Sequence, residues 1–330
     1  MVTEPLKKHD IFTLLLAGFL VLAIVTAGCT GGNAPRTVGT TGTPAPATTV
    51  PATTPPVQPA GTVTPSATVS PAPSGTYTVQ QMAGKLRVTG STTVLPIAQV
   101  AADAYMEKNL RADIQISGGG SGVGVQAVGE GTTDIGMSSR EISGAEKARY
   151  PDLVPVDVAT DAVVLIVHPS NPVTSLTLDQ VRGLYNGTYQ GWNAVGGSMA
   201  FPVIIGRDSA SGTRVYFSEA VMKNEKYRSD MREMNSNGAV KQTVAQTPGA
   251  IGYVGLGYLD ETVKAVRVIS KGEAIAPTLE NVLSGRYPIS RPLYMVTKGQ
   301  PAGLVKDYIG FILSPEGQKI VEDQGFVPVS

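Results

Sequence analysis

The sequence predicts an α/β fold. Strand-like runs alternate with helical stretches through the C-terminal three quarters of the chain, and three of these strand–turn–helix units carry Gly, Ser or Thr at the turn. Hydrophobic residues make up 42% of the 330 residues, enough for a sizeable core in one large domain or two lobes. Strands alternating with helices imply a largely parallel sheet with its loops gathered at the C-terminal strand edge, where α/β sheets bind ligands.

The N-terminus reads as an address. Lys7, Lys8 and His9 precede an apolar run over residues 11–27, of a length that suits a signal segment. It ends at Thr26-Ala27-Gly28-Cys29, which resembles a lipoprotein signal (residues 1–28) with Cys29 as the lipid attachment. Thr26 replaces the usual Leu, so an uncleaved anchor or free secretion are the alternatives; all three put the remainder outside the cytoplasm. Residues 29–80 are expected to be a tether: the stretch is rich in Thr, Pro, Ala and Gly, carries no charge after Arg36, and lacks the apolar surface to offset its ordering entropy.

The folded part opens with an alternating strand at Lys85–Thr89, then Gly90-Ser91-Thr92-Thr93-Val94, then a helix with Pro96 in its first turn. Ile97, Val100, Ala101, Ala104 and Tyr105 are expected to form its buried stripe. The second unit is the strand Ile114-Gln115-Ile116, the turn Gly118-Gly119-Gly120-Ser121-Gly122-Val123-Gly124, and a helix. Such a turn offers unobstructed N–H groups at the positive end of a helix, a ready anion site. Asp134–Met137 is a short strand ending at Ser138-Ser139-Arg140, and residues 141–149 form a polar helix.

Asp161–Pro169 reads as a buried strand, with His168 at its end, and Leu178–Tyr185 as a helix. Asn186-Gly187-Thr188 is a turn, and Trp192 a packing residue. Phe201–Ile205 is a strand leading into Gly206-Arg207-Asp208-Ser209-Ala210-Ser211-Gly212-Thr213-Arg214 and a helix marked by Phe217, Ala220 and Val221. This third unit adds a guanidinium, whose fixed pairs of donors and weak hydration suit a tetrahedral oxyanion; the bland alternative for Arg207 is a surface ion pair with Asp208. Strands at residues 248–254 and 293–296 and helices from Leu304 and Ser314 complete the chain.

Composition narrows the function. Lys+Arg and Asp+Glu both number 26, so the basic excess that nucleic-acid binding requires is missing. Cys29 is the only cysteine and His9 and His168 the only histidines, which excludes a disulfide framework, a His-rich metal site and a multi-imidazole relay. Gly122–Ala127 fits a dinucleotide fingerprint on paper, with Glu141 downstream, but an exported chain meets little nicotinamide cofactor. A nucleophile elbow fails because Gly119-Gly120-Ser121-Gly122-Val123 lacks its last glycine. No enzyme activity, catalytic residue, cofactor or metal is expected.

Taken as an ordered set, Gly90–Val94, Ser121–Gly124, Asp134–Arg140, Gly206–Asp208 with Ser211–Thr213, Pro248–Val254 and Glu316–Val329 resemble the phosphate-binding proteins that feed ABC phosphate importers. The resemblance implies a two-lobed clamshell of the periplasmic-binding-protein type, each lobe a mostly parallel sheet flanked by helices, with the ligand in the cleft. It implies lobe I at residues 84–160 plus 290–330 and lobe II at residues 161–289. It implies phosphate held by Thr92, Thr93, Ser121 and Ser139 from the first lobe and by Arg207, Ser211, Gly212 and Thr213 from the second. Better-known members place an Asp where this chain has Ser139, and that carboxylate accepts the proton of bound phosphate. Asp161 is the expected substitute acceptor and Asp208 the alternative. Implied partners are inorganic phosphate, the ABC permease and the membrane through the N-terminal anchor; a monomer is expected, with no nucleic acid. Sulfate, molybdate or tungstate on the same fold is the first alternative, and a phosphate sensor the second.

Overall fold

β-branched runs and glycine turns alternate through the chain, and the computed structural model, which describes residues 77–198 and 200–329, turns them into eleven strands and nine α-helices among those residues. The first unit is β1 (Gly84–Gly90) and α1 (Leu95–Lys108), the second β2 (Ala112–Ser117) and α2 (Ser121–Glu130). Next come β3 (Ile135–Ser138), α3 (Gly144–Arg149) and the long β4 (Leu153–Val167). β5 (Ser175–Thr177), α4 (Leu178–Asn186), β6 (Val203–Arg207), α5 (Gly212–Ala220), β7 (Arg232–Met234) and α6 (Asn237–Gln246) follow. The chain then forms β8 (Ala250–Gly255), β9 (Lys264–Ser270), β10 (Glu273–Ile275), α7 (Leu279–Leu283), β11 (Ser290–Lys298), α8 (Gly303–Leu313) and α9 (Pro315–Asp323). The expected signal, Cys29 and the tether up to residue 76 lie outside the described residues.

The strand order is β2-β1-β3-β11-β4-β8-β6-β7. β1 pairs in parallel with β2 and β3, and β6 in parallel with β7 and β8. β4 and β11 run antiparallel to each other and to β8 and β3. The sheet is therefore mixed where a mostly parallel one was expected. The reason is topological: β4 carries the chain from one half to the other and β11 brings it back, so the two lie in opposite directions at the junction. β4 bonds to β11 as far as Ala162 and to β8 from Val163 onward. The buried apolar residues divide at the same place, one cluster holding Ala162 to Ile289 with Val327, another Leu86 to Ala159 with Leu293 to Phe326. The result is a two-lobed α/β clamshell strung on two crossing strands.

Local differences from the sequence reading have local causes. On α1 the buried face is Ile97, Ala98, Ala101, Ala102 and Tyr105, while Val100 is 37% exposed; α8 and α9 cover one flank of the helix, which rotates and widens the stripe. The helix expected from residue 141 begins at Gly144, because Ser143 and Glu146 form a reciprocal capping box there, a contribution of about 1 kcal/mol. The strand expected at 201–205 is shifted to Val203–Arg207, leaving Phe201 exposed and carrying Arg207 into the strand end. The expected tether ran to residue 80, yet Tyr77 already packs on Phe311, with ring centroids 6.2 Å apart, and Gln80 N–H donates to Asp307 at 3.0 Å. Trp192 is buried and donates its Nε1–H to the Gly249 carbonyl at 2.9 Å, a packing role. The His168 ring stays in its turn, 2.8 Å from Ser170 Oγ.

Candidate functional site

The glycine–hydroxyl turns sit at the C-terminal ends of β1, β2, β3 and β6, and the two lobes meet there. Two glycines make the approach possible. Gly120 has φ 95°, and a Cβ on it would lie 2.6 Å from the Ala210 carbonyl of the opposite lobe. A Cβ on Gly212 would run into Ser121 Oγ and stand 2.9 Å from Ser139 Oγ. In addition Gly122 N–H donates across the junction to the Ala210 carbonyl at 3.0 Å.

All eight residues expected to hold a ligand are buried: Thr92, Thr93, Ser121, Ser139, Arg207, Ser211, Gly212 and Thr213. The hydroxyls form cross-lobe and within-lobe pairs. Thr93 Oγ1 lies 3.2 Å from Thr213 Oγ1, and Ser121 Oγ lies 3.3 Å from Ser139 Oγ while accepting from Ser139 N–H at 3.0 Å. Ser211 caps α5 by accepting from Arg214 N–H at 3.2 Å, which leaves its own proton to donate. Ser121 is the first residue of α2 and does not act as its cap; Gly120 holds that position.

Arg207 is not a surface ion pair. It is 1% exposed, and among the described residues its guanidinium forms no salt bridge. Its Nε and Nη2 donate to the carbonyls of Met234 and Asn235 at 3.0 and 3.1 Å. The loop after β7 thus pins one edge of the guanidinium and leaves the other with spare donors. Burial lowers its pKa, with Asp208 working against that and Arg291 adding to it. Since arginine does not deprotonate in proteins, the charge stays and lacks a carboxylate of its own.

Asp161 is fully buried at the junction, opposite Arg291 in the β4–β11 register. Its Oδ2 accepts from Arg291 Nη2 at 3.0 Å and Nε at 3.3 Å, and its Oδ1 from Leu256 N–H at 2.9 Å. Burial pushes its carboxyl up while Arg291 and the Leu256 N–H pull it back. Both oxygens of the expected proton acceptor are therefore engaged by protein donors. Asp208 is partly buried, and its Oδ1 has no hydrogen-bond partner among the described residues.

A profile of the PBP superfamily domain matches residues 63–316. The phosphate-binding protein PstS of Bacillus subtilis is 34% identical over 253 residues, covering 76% of this chain and 83% of that protein. The chain belongs to the PstS-type phosphate-binding proteins of the PBP superfamily. Among solved structures, a candidate phosphate ABC transporter substrate-binding protein from Clostridium perfringens, crystallised with bound phosphate, is 36% identical at a TM-score of 0.71 over 75% of this chain and all of that one. An ABC-type phosphate transport receptor from Vibrio cholerae is 29% identical at a TM-score of 0.62, covering 73% of this chain and 99% of its own.

At this junction, two buried residues and one half-buried one escaped the sequence reading. Arg291 Nη2 donates to Thr213 Oγ1 at 2.9 Å and Thr93 Oγ1 at 3.3 Å, and its Nη1 is buried without a partner among the described residues. Asn237 Nδ2 lies 3.0 Å from both Thr92 Oγ1 and Thr93 Oγ1. Tyr258, half-buried, donates its hydroxyl to the Thr92 carbonyl. Asn237 carried a usable signal: Asn235-Ser236-Asn237-Gly238 follows the short strand β7 and opens α6, a fourth unit of the same design with Ser236 as the cap. Arg291 sits in a strand between Ser290 and Pro292, where its burial depends on β4, so no local pattern marks it.

Proposed function

We propose that this chain captures inorganic phosphate between its two lobes and delivers it to the membrane permease of an ABC importer. The observation that carries this reading is Arg207: a buried guanidinium whose Nε and Nη2 alone are bonded to the protein and which makes no salt bridge among the described residues, set at a junction lined with hydroxyls. A buried cation without a counter-charge is costly, and an anion seated beside it removes that cost.

In this reading Thr92, Thr93, Ser121 and Ser139 donate from lobe I, spanning residues 84–160 plus 290–330. Arg207, Ser211, Gly212 and Thr213 donate from lobe II, residues 161–289, by guanidinium, hydroxyl and backbone N–H. Phosphate touches both lobes, so it favours the closed arrangement, a population shift that a permease can read. Donors alone carry the recognition; no metal, cofactor or catalytic residue takes part. The relatives are substrate-binding proteins of transport systems that work outside the cytoplasm, and the reading extends this to a monomer anchored through a lipid on Cys29. Release of the Cys29→Ser chain from the membrane fraction would support that anchor, and unchanged retention would remove it.

Competition calorimetry with phosphate, sulfate, molybdate and tungstate tests the ligand. Phosphate should bind in the micromolar range or tighter, about −8 kcal/mol, with the others far weaker. Preference for a fully ionised anion would overturn the assignment to phosphate, and turnover of phosphomonoesters would overturn the non-enzymatic reading.

A further inference from the structure

The oxygen atoms of three threonines in the site are already spoken for. A threonine hydroxyl has one proton to give and two lone pairs to receive with. Thr92 Oγ1 receives from Asn237 twice, from Nδ2 at 3.0 Å and from the backbone N–H at 3.4 Å. Thr93 Oγ1 receives from Asn237 Nδ2 at 3.0 Å and, as the long branch of a proton that Arg291 Nη2 shares with Asp161 or Thr213, from Arg291 at 3.3 Å. Thr213 Oγ1 receives from Arg291 Nη2 at 2.9 Å and faces Thr93 Oγ1 at 3.2 Å.

The orientation of Asn237 follows from its own bonds. Gly255 N–H donates to Oδ1 at 3.2 Å, which makes that atom the amide oxygen and turns both Nδ2 protons to the two threonines. Asn237 is 0% exposed and every polar atom of its side chain is used. It belongs to lobe II and Thr92 and Thr93 to lobe I, so these bonds exist only while the lobes are together.

We propose that Asn237 and Arg291 are positioning residues that set the polarity of the site: Asn237 fills the lone pairs of Thr92 and, with Arg291, those of Thr93, so that Thr92 gives its proton to an anion while Thr93 gives its own to Thr213, whose proton is then turned to the anion. The proposal rests on the reading of the junction as an oxyanion site, though not on which oxyanion. Without these donors a hydroxyl is free to turn its lone pairs toward the anion and repel it. Asn237 couples that polarity to closure, because its donors arrive with lobe II. Ser139 is different: among the described residues no N–H donates to its Oγ. Of the first lobe's set it is the hydroxyl with both lone pairs free of N–H donors, while Ser121 Oγ already receives from the Ser139 N–H.

The test uses the full chain, the Asn237→Ala and Asn237→Asp variants, and calorimetric titration with phosphate and, separately, sulfate across pH about 8 to about 5. Asn237→Ala should bind phosphate about tenfold more weakly than the unmodified chain. Asn237→Asp is nearly isosteric; ionised, it can only receive, so it should bind about a hundredfold more weakly at the alkaline end. Once protonated it regains one donor, so its affinity should rise above that of Asn237→Ala at the acid end, and the two curves should cross. Arg207, Arg291, Asp161 and Tyr258 also surround the position, but their titration is common to both variants and cancels in the ratio.

A crossing supports the proposal, because charge repulsion alone brings the Asp variant up to the Ala variant and no further. Curves that never cross, or an Ala variant within twofold of the unmodified chain, overturn it. Asn237→Ser, which keeps one donor, should fall between Ala and the unmodified chain, and does so only if the donor matters. If the unmodified chain takes sulfate and not phosphate, the phosphate reading fails while the crossing is still read with sulfate; if it takes neither, both fail.

Discussion

The two lobes bring opposite electrostatics to the same junction. Lobe I contributes Thr92, Thr93, Ser121 and Ser139, all neutral, and the nearby guanidinium of Arg140 is cancelled: Glu146 takes it in a two-pronged pair, with both N–O distances 2.7 Å. Lobe II contributes Arg207, whose guanidinium makes no salt bridge among the described residues. Between them the crossing strands hold a third guanidinium, Arg291, tied to Asp161. The difference teaches that a neutral lobe can order the hydroxyls without attracting stray counter-ions, while the unpaired charge arrives only from the other side. In the proposed reading, recognition then depends on closure, since the anion draws donors from both halves.

The largest effect should come from breaking the central pair. Arg291→Ala leaves Asp161 fully buried with only backbone N–H donors, Leu256 the main one, and removing one partner of a buried pair costs about 3–5 kcal/mol. Urea unfolding without ligand measures it. A midpoint unchanged within error would mean that the pair contributes no stability to the junction.

Arg207→Ala should do the reverse. Its guanidinium makes no salt bridge among the described residues, with Asp208 acting on it only at longer range, so ligand-free stability should stay the same or rise, while phosphate affinity falls by about 2–4 kcal/mol. Calorimetry and unfolding on the same preparation separate the two. Equal losses in binding and stability would erase the distinction between Arg207 and Arg291.

Ser139→Asp should sharpen the neutral lobe. It restores an acceptor that repels a fully ionised anion, so sulfate should weaken against phosphate by about 1–3 kcal/mol. If the ratio stays fixed, the ligand's proton is received elsewhere, and Asp208, whose Oδ1 is buried and unpartnered among the described residues, becomes the next position to change.

How much of this was legible in the sequence depends on how local each signal is. The turns at Gly90, Gly118 and Gly206 are strand–glycine–helix patterns, and each delivered its residues to the junction because turn chemistry is decided within a few residues. Arg291 and Asp161 are 130 positions apart and meet only through the β4–β11 register. A single strand cannot announce its partner, so neither the buried pair nor the use of both Asp161 oxygens could be read beforehand. The mixed sheet was hidden for the same reason: parallel and antiparallel neighbours leave similar apolar runs in a buried strand.

The smallest effect probes how lobe I keeps its own guanidinium quiet. Burial would raise the Glu146 carboxyl, but the Arg140 guanidinium and the Ser143 N–H and hydroxyl outweigh it and hold the carboxyl below its ordinary value. A depressed carboxyl contributes stability above its unfolded pKa and loses it as the pH falls through the folded one. Glu146 is part-exposed, so solvent screening limits the contribution to roughly 0.5 kcal/mol. Glu146→Gln should therefore lower the urea midpoint slightly at neutral pH and make no difference in acid, where the native carboxyl is protonated too. It also frees the Arg140 charge beside Ser139, so phosphate association at low salt should quicken, and the gain should vanish as ionic strength rises. A rate that ignores both substitution and salt would mean that the neutrality of lobe I has no bearing on how the anion arrives.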